Sequence, residues 1–221
     1  MEEQRTLGWF KSRIGNITGS QVGLLMVKGR AKDAVFGQTA MAYILQLAAE
    51  RTMKASVLND DDLFAQYVEY TSVSSKAMQW GTEQEAMARL TYQDVKGVKV
   101  DETGSVRHEK IPHFASSPDG IIGEGCIEIK CPNQATFVEY ATEIIDGASL
   151  KAVESKYYWQ VMAHMSCTGA KWCEFVAYSP WQSKPIHIAH IERDEEAIAE
   201  MESRVILANE EIDKLVEKLT K

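Results

Sequence analysis

The sequence predicts an α/β fold, a mixed sheet of short strands flanked by helices, with a helical N-terminal part and a long C-terminal helix. Three patterns point to it. Apolar residues alternate with period two in short runs within residues 98–130 and again within 172–192, the spacing of half-buried strands. Residues 37–53, 75–92 and 136–166 carry apolar side chains every three or four positions, the spacing of helices packed on one side. Residues 194–221 keep that helical spacing with few interruptions. No internal repeat, low-complexity tract or long linker divides the 221 residues, so a single domain over 1–221 is expected.

In chain order, Trp9, Phe10 and Arg13 lead into RIGNITGSQVGLLM, where Thr18 or Ser20 is placed to cap a short apolar helix. An arginine and hydroxyls at a helix start suit an anion, because the first N–H groups are free and the helix dipole favours negative charge. A simple cap beside a surface arginine is the ordinary alternative, and both stay open on these residues alone. The 37–53 helix is expected to bury Met41, Ile44, Leu45 and Ala48, and the acidic run 59–62 to break the helical pattern. The 75–92 helix is expected to bury Met78, Ala86 and Leu90. On it Glu83 and Glu85 stand two positions apart and so point in different directions, which lets at most one face a site.

Strands are then expected at VKVD (98–101), SVRHEKI (105–111), HFASS (113–117) and CIEIK (126–130), with a Pro118-Asp119-Gly120 turn before the last. Thr136 and Glu139 match a capping box for a helix that stops near Gly147. The following helix, 150–166, places Val153, Tyr157, Val161 and Met165 in the core, and beside them Lys156, Gln160 and His164 form a polar line expected to be solvated. WCEFVAY (172–178) and IHIAHIE (186–192) read as two further strands around a proline-containing turn. In the last helix Ile198, Met201, Val205, Ala208, Ile212, Leu215 and Leu219 form a seam, for which packing on its own domain is favoured over subunit contact.

Composition bounds the class. The N-terminus lacks the apolar run of a signal peptide, and no stretch of about eighteen apolar residues offers a membrane span, so a cytoplasmic globular protein with no membrane partner is expected. Cys126, Cys131, Cys167 and Cys173 form no dense framework, and reduced thiols are the default. They contain no C-x₂-C pair, so zinc or an iron–sulfur cluster is set aside, His164 included. The formal charge of −8 is uneven: residues 192–221 hold ten acids and five bases, whereas 1–32 hold six bases and two acids. A basic front can meet a polyanion despite an acidic total, because the local field governs binding.

The chemistry concentrates in FASSPDGIIGEGCIEIKCP. Alternation along a strand puts Cys126, Glu128 and Lys130 on one face and Ile127 and Ile129 on the other. A carboxylate and an ammonium on a buried strand are costly unless paired or bound to a metal. Hard divalent cations such as Mg²⁺ take oxygen ligands, commonly a pair of carboxylates completed by water, a backbone carbonyl and substrate phosphate. Asp119 and Glu128 supply such a pair and Ile129 the carbonyl; Lys130 on the same face is placed to orient a water or neutralise developing charge.

Pro118-Asp119, a spacer and Glu128-Ile129-Lys130 resemble the PD-(D/E)xK nuclease signature. The wider set RIGNITGS, WGTEQE, SSPDG, EIKCP and YYWQVMAHM resembles, in order, the family of phage lambda exonuclease and the YqaJ-like viral recombinases, across about residues 9–193. The resemblance implies a restriction-endonuclease-like core and a Mg²⁺-dependent exonuclease, with Mn²⁺ as a substitute metal, that degrades one strand of linear double-stranded DNA 5′ to 3′. It implies Asp119, Glu128 and the Ile129 carbonyl as metal ligands, Lys130 as catalytic lysine, Glu85 as a further acid, and Gln160 as the glutamine of the next helix. Arg13, with Ser20 and Ser117, would hold the terminal 5′-phosphate. A ring-shaped homotrimer, a single-strand annealing protein as partner and a bacterial host cell carrying the phage or prophage complete the implied picture.

The chain departs from the family where a basic residue follows the lysine-cysteine-proline triplet, since Asn133-Gln134-Ala135-Thr136 has none. His108 and His113 have no assigned role, and Trp159, Trp172 and Trp181 are read as core or interface. Two other classes compete with the exonuclease: an endonuclease on the same fold, and a DNA-end-binding protein without turnover.

Overall fold

The strand carrying Glu128 and Lys130 forms as its alternation predicts, and the rest of the chain is arranged around it. The computed structural model describes residues 4–29, 34–72 and 75–221; Glu2, Glu3, Arg30 and Lys32 of the charged N-terminal stretch lie outside these. The chain opens with α1 (Leu7–Arg13), β1 (Ile17–Thr18), α2 (Gly19–Val22) and a 3-10 turn (Gly23–Met26). Three helices follow, α3 (Gln38–Arg51), α4 (Ala55–Asn59) and α5 (Asp61–Thr71), then the long α6 (Lys76–Lys96). The strands β2 (Val106–Arg107), β3 (Phe114–Ser116), β4 (Gly120–Ile122) and β5 (Gly125–Lys130) come next. Helices α7 (Gln134–Glu143), α8 (Gly147–Val153) and α9 (Ser155–Thr168), strands β6 (Trp172–Tyr178) and β7 (Ile186–Glu192), and α10 (Glu195–Thr220) complete it.

The main sheet runs β4-β5-β6-β7, with β5 and β6 parallel and the other pairs antiparallel; a small sheet runs β1-β3-β2. This is the predicted mixed sheet. β6 and β7 match their sequence runs end to end, because both alternate cleanly and end in turn residues. Of VKVD only Asp101 bridges, to Ile121, and of SVRHEKI only Val106 and Arg107 pair, so those two expected strands are largely extended loop.

The two faces of the main sheet bury different layers. Cys126, Cys173, Phe175 and Ala177 join Val161, Met162 and Met165 of α9 in the larger core, which continues into the α10 seam from Ile198 through Ile212. The C-terminal helix therefore packs on its own domain; Leu215 packs against the core edge and Leu219 is exposed. On the other face Ile127, Ile129, Val176 and Tyr178 meet Ala88 and Tyr92 of α6.

Several helical expectations are corrected. In α6 the expected core residues Met78, Ala86 and Leu90 are exposed, and Ala88 and Tyr92 are buried instead. Residues two apart on a helix lie on nearly opposite sides, and apolar side chains on both sides of α6 leave periodicity unable to choose the face. In α3 Ile44 and Ala48 are buried as expected, but Met41 and Leu45 are exposed, with Ala40 and Leu47 in their place. The acidic run does more than break a helix: Asp60 accepts hydrogen bonds from the Asp62 and Leu63 N–H groups and caps α5. α7 is capped by Asn133, not by a Thr136 box, since the Asn133 side chain accepts from the Thr136 N–H. Gly147 begins α8, and Glu154, at φ −142° and ψ 73°, separates α8 from α9 where one helix was expected.

Candidate active site

The residues singled out from sequence meet at one cleft of about 580 Å³. Arg13, Ser20, Glu85, Ser117, Asp119, Glu128, Ile129, Lys130 and Gln160 all line it. Their positions follow from the two sheets. β3 delivers Ser117 at its end, the Pro118-Asp119 turn leads into β4, and β5 presents Glu128 and Lys130 from its cleft-facing side. Gly120 is required beside Asp119, because a Cβ there would stand 2.1 Å from Val100 Cγ1. Asp119 is fixed to β5 twice: its N–H donates to Ile127 O at 3.0 Å, and its Oδ2 accepts the Ile129 N–H at 2.6 Å.

Glu128 is 1% exposed and fully engaged. Oε1 accepts from Gln160 Nε2 at 2.7 Å and from the Lys130 ammonium, and Oε2 is 2.6 Å from His164 Nε2. His164 Nδ1 is in turn 2.7 Å from Ser116 Oγ, so a buried chain runs from β3 through α9 to the cleft. The polar line on α9 is therefore no solvated edge: Gln160 and His164 are buried, and only Lys156 is exposed. Their four-residue spacing places both on the helix face that meets β5. His164 was readable only as a member of that line, since its partners Glu128 and Ser116 are distant in sequence.

The electrostatics are divided between the two carboxylates. Burial, then the charges of Glu128 and Glu85, push the Asp119 carboxyl well above the ordinary value, against the pull of Lys130 and the Ile129 N–H. Burial also pushes Glu128 up, but Lys130 and His164 outweigh it and hold the group at about 2. Burial lowers the Lys130 ammonium, yet Glu128, Tyr157 and Asp119 raise it above its ordinary value overall, and it lies 4.4 Å from the centroid of the Tyr157 ring. Burial and like-charge repulsion thus work against ionisation of Asp119.

Of Glu83 and Glu85 on α6, Glu85 turns to the cleft and Glu83 is exposed. Glu85 is held by Arg5 at 2.5 Å and by Arg89 at 3.1 Å. Arg5 and Gln4 also line the cleft, and Gln4 Nε2 donates to the carbonyls of Pro118 at 2.9 Å and Thr103 at 3.1 Å. Neither residue carries a local signal, since only the fold brings this stretch to Asp119.

At the other end of the cleft Arg13 donates to Ser117 Oγ at 3.2 Å and Ser20 Oγ at 3.4 Å, with its guanidinium 4.2 Å from the Trp9 ring centroid. Burial lowers its pKa, partly offset by Tyr43 and Glu50. Among the described residues Arg13 forms no direct ion pair, so a half-buried cation is left with hydroxyls, a ring and the more distant charge of Glu50. Thr18 stands at the N-cap of α2 without a side-chain cap bond, and Ser20 lies inside that helix.

Other residues fall away from the cleft. His108 pairs with Glu202 at 3.2 Å and stacks on Phe114, and His113 is exposed at φ 54°. All four cysteines are free thiols, and only Cys131 lines the cleft, its thiol pushed up to about 12 by burial first. Asn133 and Thr136 line the cleft where a base was missing from the sequence pattern. Trp181 is 67% exposed and so lies outside the core, whereas Trp159 is buried in it.

Among the described residues no three His, Cys, Asp or Glu side chains stand as a closed metal cage. The donor set instead suits a hard cation held by few carboxylates, since Mg²⁺ commonly keeps several waters and binds one or two carboxylates together with substrate phosphate. Asp119 Oδ1 accepts no hydrogen bond from the described residues, and the repulsion that raises Asp119 is what a bound cation relieves.

A family model for the YqaJ-like viral recombinase domain matches residues 8–171. The chain belongs to the YqaJ-like viral recombinase family. The crystal structure of an alkaline exonuclease (LHK-Exo) from Laribacter hongkongensis is similar at 32% identity and TM-score 0.77, covering 97% of this chain and 96% of that one. The structure of LHK-Exo in complex with dAMP gives the same values. A phage-related exonuclease from Haemophilus somnus 129PT shares the fold at TM-score 0.66 and 18% identity, covering 92% of this chain and 96% of that one. No curated protein matches significantly. The core is of the PD-(D/E)xK type, with the Asp119, Glu128 and Lys130 pattern at its cleft.

Proposed function

We propose that this protein is a Mg²⁺-dependent exodeoxyribonuclease that degrades one strand of linear double-stranded DNA from the 5′ end and leaves 3′ single-stranded overhangs for recombination by strand annealing. The observation that carries the reading is the convergence, on one cleft, of the Asp119, Glu128 and Lys130 set with the Arg13, Ser20 and Ser117 cluster. Family membership and the likeness to an alkaline exonuclease support DNA exonuclease activity. LHK-Exo is also known in complex with dAMP, in keeping with a nucleotide ligand.

In this reading Asp119, Glu128 and the Ile129 carbonyl hold the cation, and Mn²⁺ substitutes for Mg²⁺. The metal, when bound, stabilises phosphodiester charge and lowers the pKa of water. Lys130 places a positive charge beside the reacting phosphate and with His164 keeps Glu128 ionised, while Gln160 and His164 keep it aimed. Glu85, locked by Arg5 and Arg89, adds negative charge that favours a cation near Asp119. Arg13 with Ser20 and Ser117 receives the terminal 5′-phosphate as a charge-assisted donor set.

The protein is further read as a ring-shaped homotrimer acting with a single-strand annealing protein in the cytoplasm of a bacterial host that carries the phage or prophage. The exposed apolar residues Met87, Leu90 and Val95 on the outer side of α6 support a subunit contact. No helix among the described residues is long and apolar enough to cross a membrane.

The test is digestion of 5′-phosphorylated linear duplex, 5′-hydroxyl linear duplex and covalently closed circle, each with and without Mg²⁺. The expected outcome is rapid Mg²⁺-dependent loss of the phosphorylated linear strand and an intact circle. Nicking of the circle establishes the endonuclease instead, and binding of ends without digestion establishes the non-catalytic protein.

A further inference from the structure

Trp181 stands in the turn between β6 and β7, 67% exposed, and its ring stacks on Trp80 with centroids 6.1 Å apart and planes inclined by 15°. An exposed indole is costly apolar surface, and Trp usually has a partner for it. The fold brings this pair to the sheet edge on which the cleft opens, outside the cleft lining itself. β5 and β6 are parallel, with Lys130 opposite Ala177, so the turn after Tyr178 leaves the sheet at the edge where Cys131, Pro132 and Asn133 line the cleft. Trp80 is carried by α6 on the side turned away from cleft-lining Met78, Thr82 and Glu85, and there it meets Trp181.

The turn is held in shape. Ser179 is buried, its N–H donates to Pro185 O at 2.8 Å, and the Gln182 N–H donates to Ser179 O at 3.3 Å. The ring is therefore presented by an ordered turn. Two cations accompany it: Lys184 in the same turn and Lys76, one helical turn before Trp80, are both exposed and form no ion pair among the described residues. In a chain of net charge −8, unpaired lysines beside an exposed stacked ring favour a polyanion carrying flat apolar groups.

We propose that Trp181, braced by Trp80, is a stacking platform for a nucleobase of the DNA held at the cleft. The proposal deepens the nuclease reading and rests on it. Base–aromatic stacking is tolerant of sequence, because every base has a flat face. Trp181 would thus position the DNA end without imposing a sequence preference.

The test uses fluorescence anisotropy of the full chain, without divalent metal, on a set of 5′-phosphorylated duplexes. Each duplex carries one abasic residue stepped through the first six nucleotides of either strand. One abasic position is expected to weaken wild-type binding about tenfold, the order of one lost stack. Trp181→Ala is expected to bind intact DNA about tenfold more weakly and to lose its sensitivity at that position, while Trp181→Phe restores most of both. Unchanged binding by Trp181→Ala, or a loss that simply adds to the abasic loss, overturns the platform. So does a changed sedimentation mass with the abasic response kept, which marks a subunit contact. Digestion of the intact duplex with Mg²⁺ is measured alongside. Digestion without abasic coupling sinks the platform alone, whereas coupling without digestion sinks the nuclease reading and leaves a base-stacking DNA-binding protein.

Discussion

Two buried glutamates occupy neighbouring strands of the main sheet, Glu128 on β5 and Glu174 on β6, and they face opposite sides. Glu174 is closed off: Tyr92 Oη donates to it at 2.5 Å, Lys96 Nζ stands at 2.8 Å, and His190 lies at 3.6 Å. Burial, then the bond to Glu174, pushes the Tyr92 hydroxyl up, so it remains a donor and ties α6 to the sheet. Glu128 is equally satisfied by Gln160, His164 and Lys130, yet its face opens on a cleft beside a second carboxylate and an arginine in no direct ion pair among the described residues. Burial and ion pairing are thus common to both. What marks a chemical site is unresolved charge next to a space a ligand can enter.

The largest effect expected from this contrast is at Lys130. Lys130→Ala is expected to lower Mg²⁺-dependent hydrolysis of linear duplex about 10³-fold or more with an unchanged circular dichroism spectrum. Near-wild-type rates would remove Lys130 from the chemistry. His164→Leu leaves Glu128 Oε2 and Ser116 Oγ without their partner. A loss of about 100-fold in activity and of about 2 kcal/mol in unfolding free energy is expected, read by single-turnover rates and urea titration. Arg13→Ala should erase the preference for phosphorylated over hydroxyl 5′ ends, a change of about tenfold given the strength of charge-assisted bonds. Equal losses on both ends would refute its phosphate role.

The smallest effect lies far from both glutamates. Asp194 caps α10, accepting the Ala197 N–H, and this bond, followed by that from Tyr158, holds its pKa below the ordinary 3.8. A depressed folded pKa adds stability that is present above the unfolded value and is lost as pH falls through the folded one. Asp194→Ala should therefore cost about 1 kcal/mol near neutral pH, and the gap from wild type should close as pH drops below about 3.8. A gap that persists at low pH would show a contribution other than the ionised cap.

Strands β6 and β7 were legible end to end, because alternation is a local property and the turn between them carries its own chemistry. Glu128 and Lys130 were legible because a two-residue strand period fixes which side chains share a face, and Asp119 because it stands in a Pro-Asp-Gly turn just ahead of that strand. The buried faces of α3 and α6 were not, since apolar residues on two sides leave the choice to tertiary packing, and Tyr92 makes that choice through Glu174. His164, Gln4 and Arg5 escaped for a different reason. Their partners are distant in the chain, and a polar residue on a helix edge looks the same whether water or Glu128 awaits it.

The most direct test compares the two glutamates as matched amides, Glu128→Gln and Glu174→Gln, by single-turnover hydrolysis of 5′-phosphorylated linear duplex in Mg²⁺. The account predicts a fall of about 10³-fold for the first and a change within about threefold for the second, with both proteins folded. Comparable losses in the two variants, or activity retained by Glu128→Gln and lost by Glu174→Gln, would contradict it.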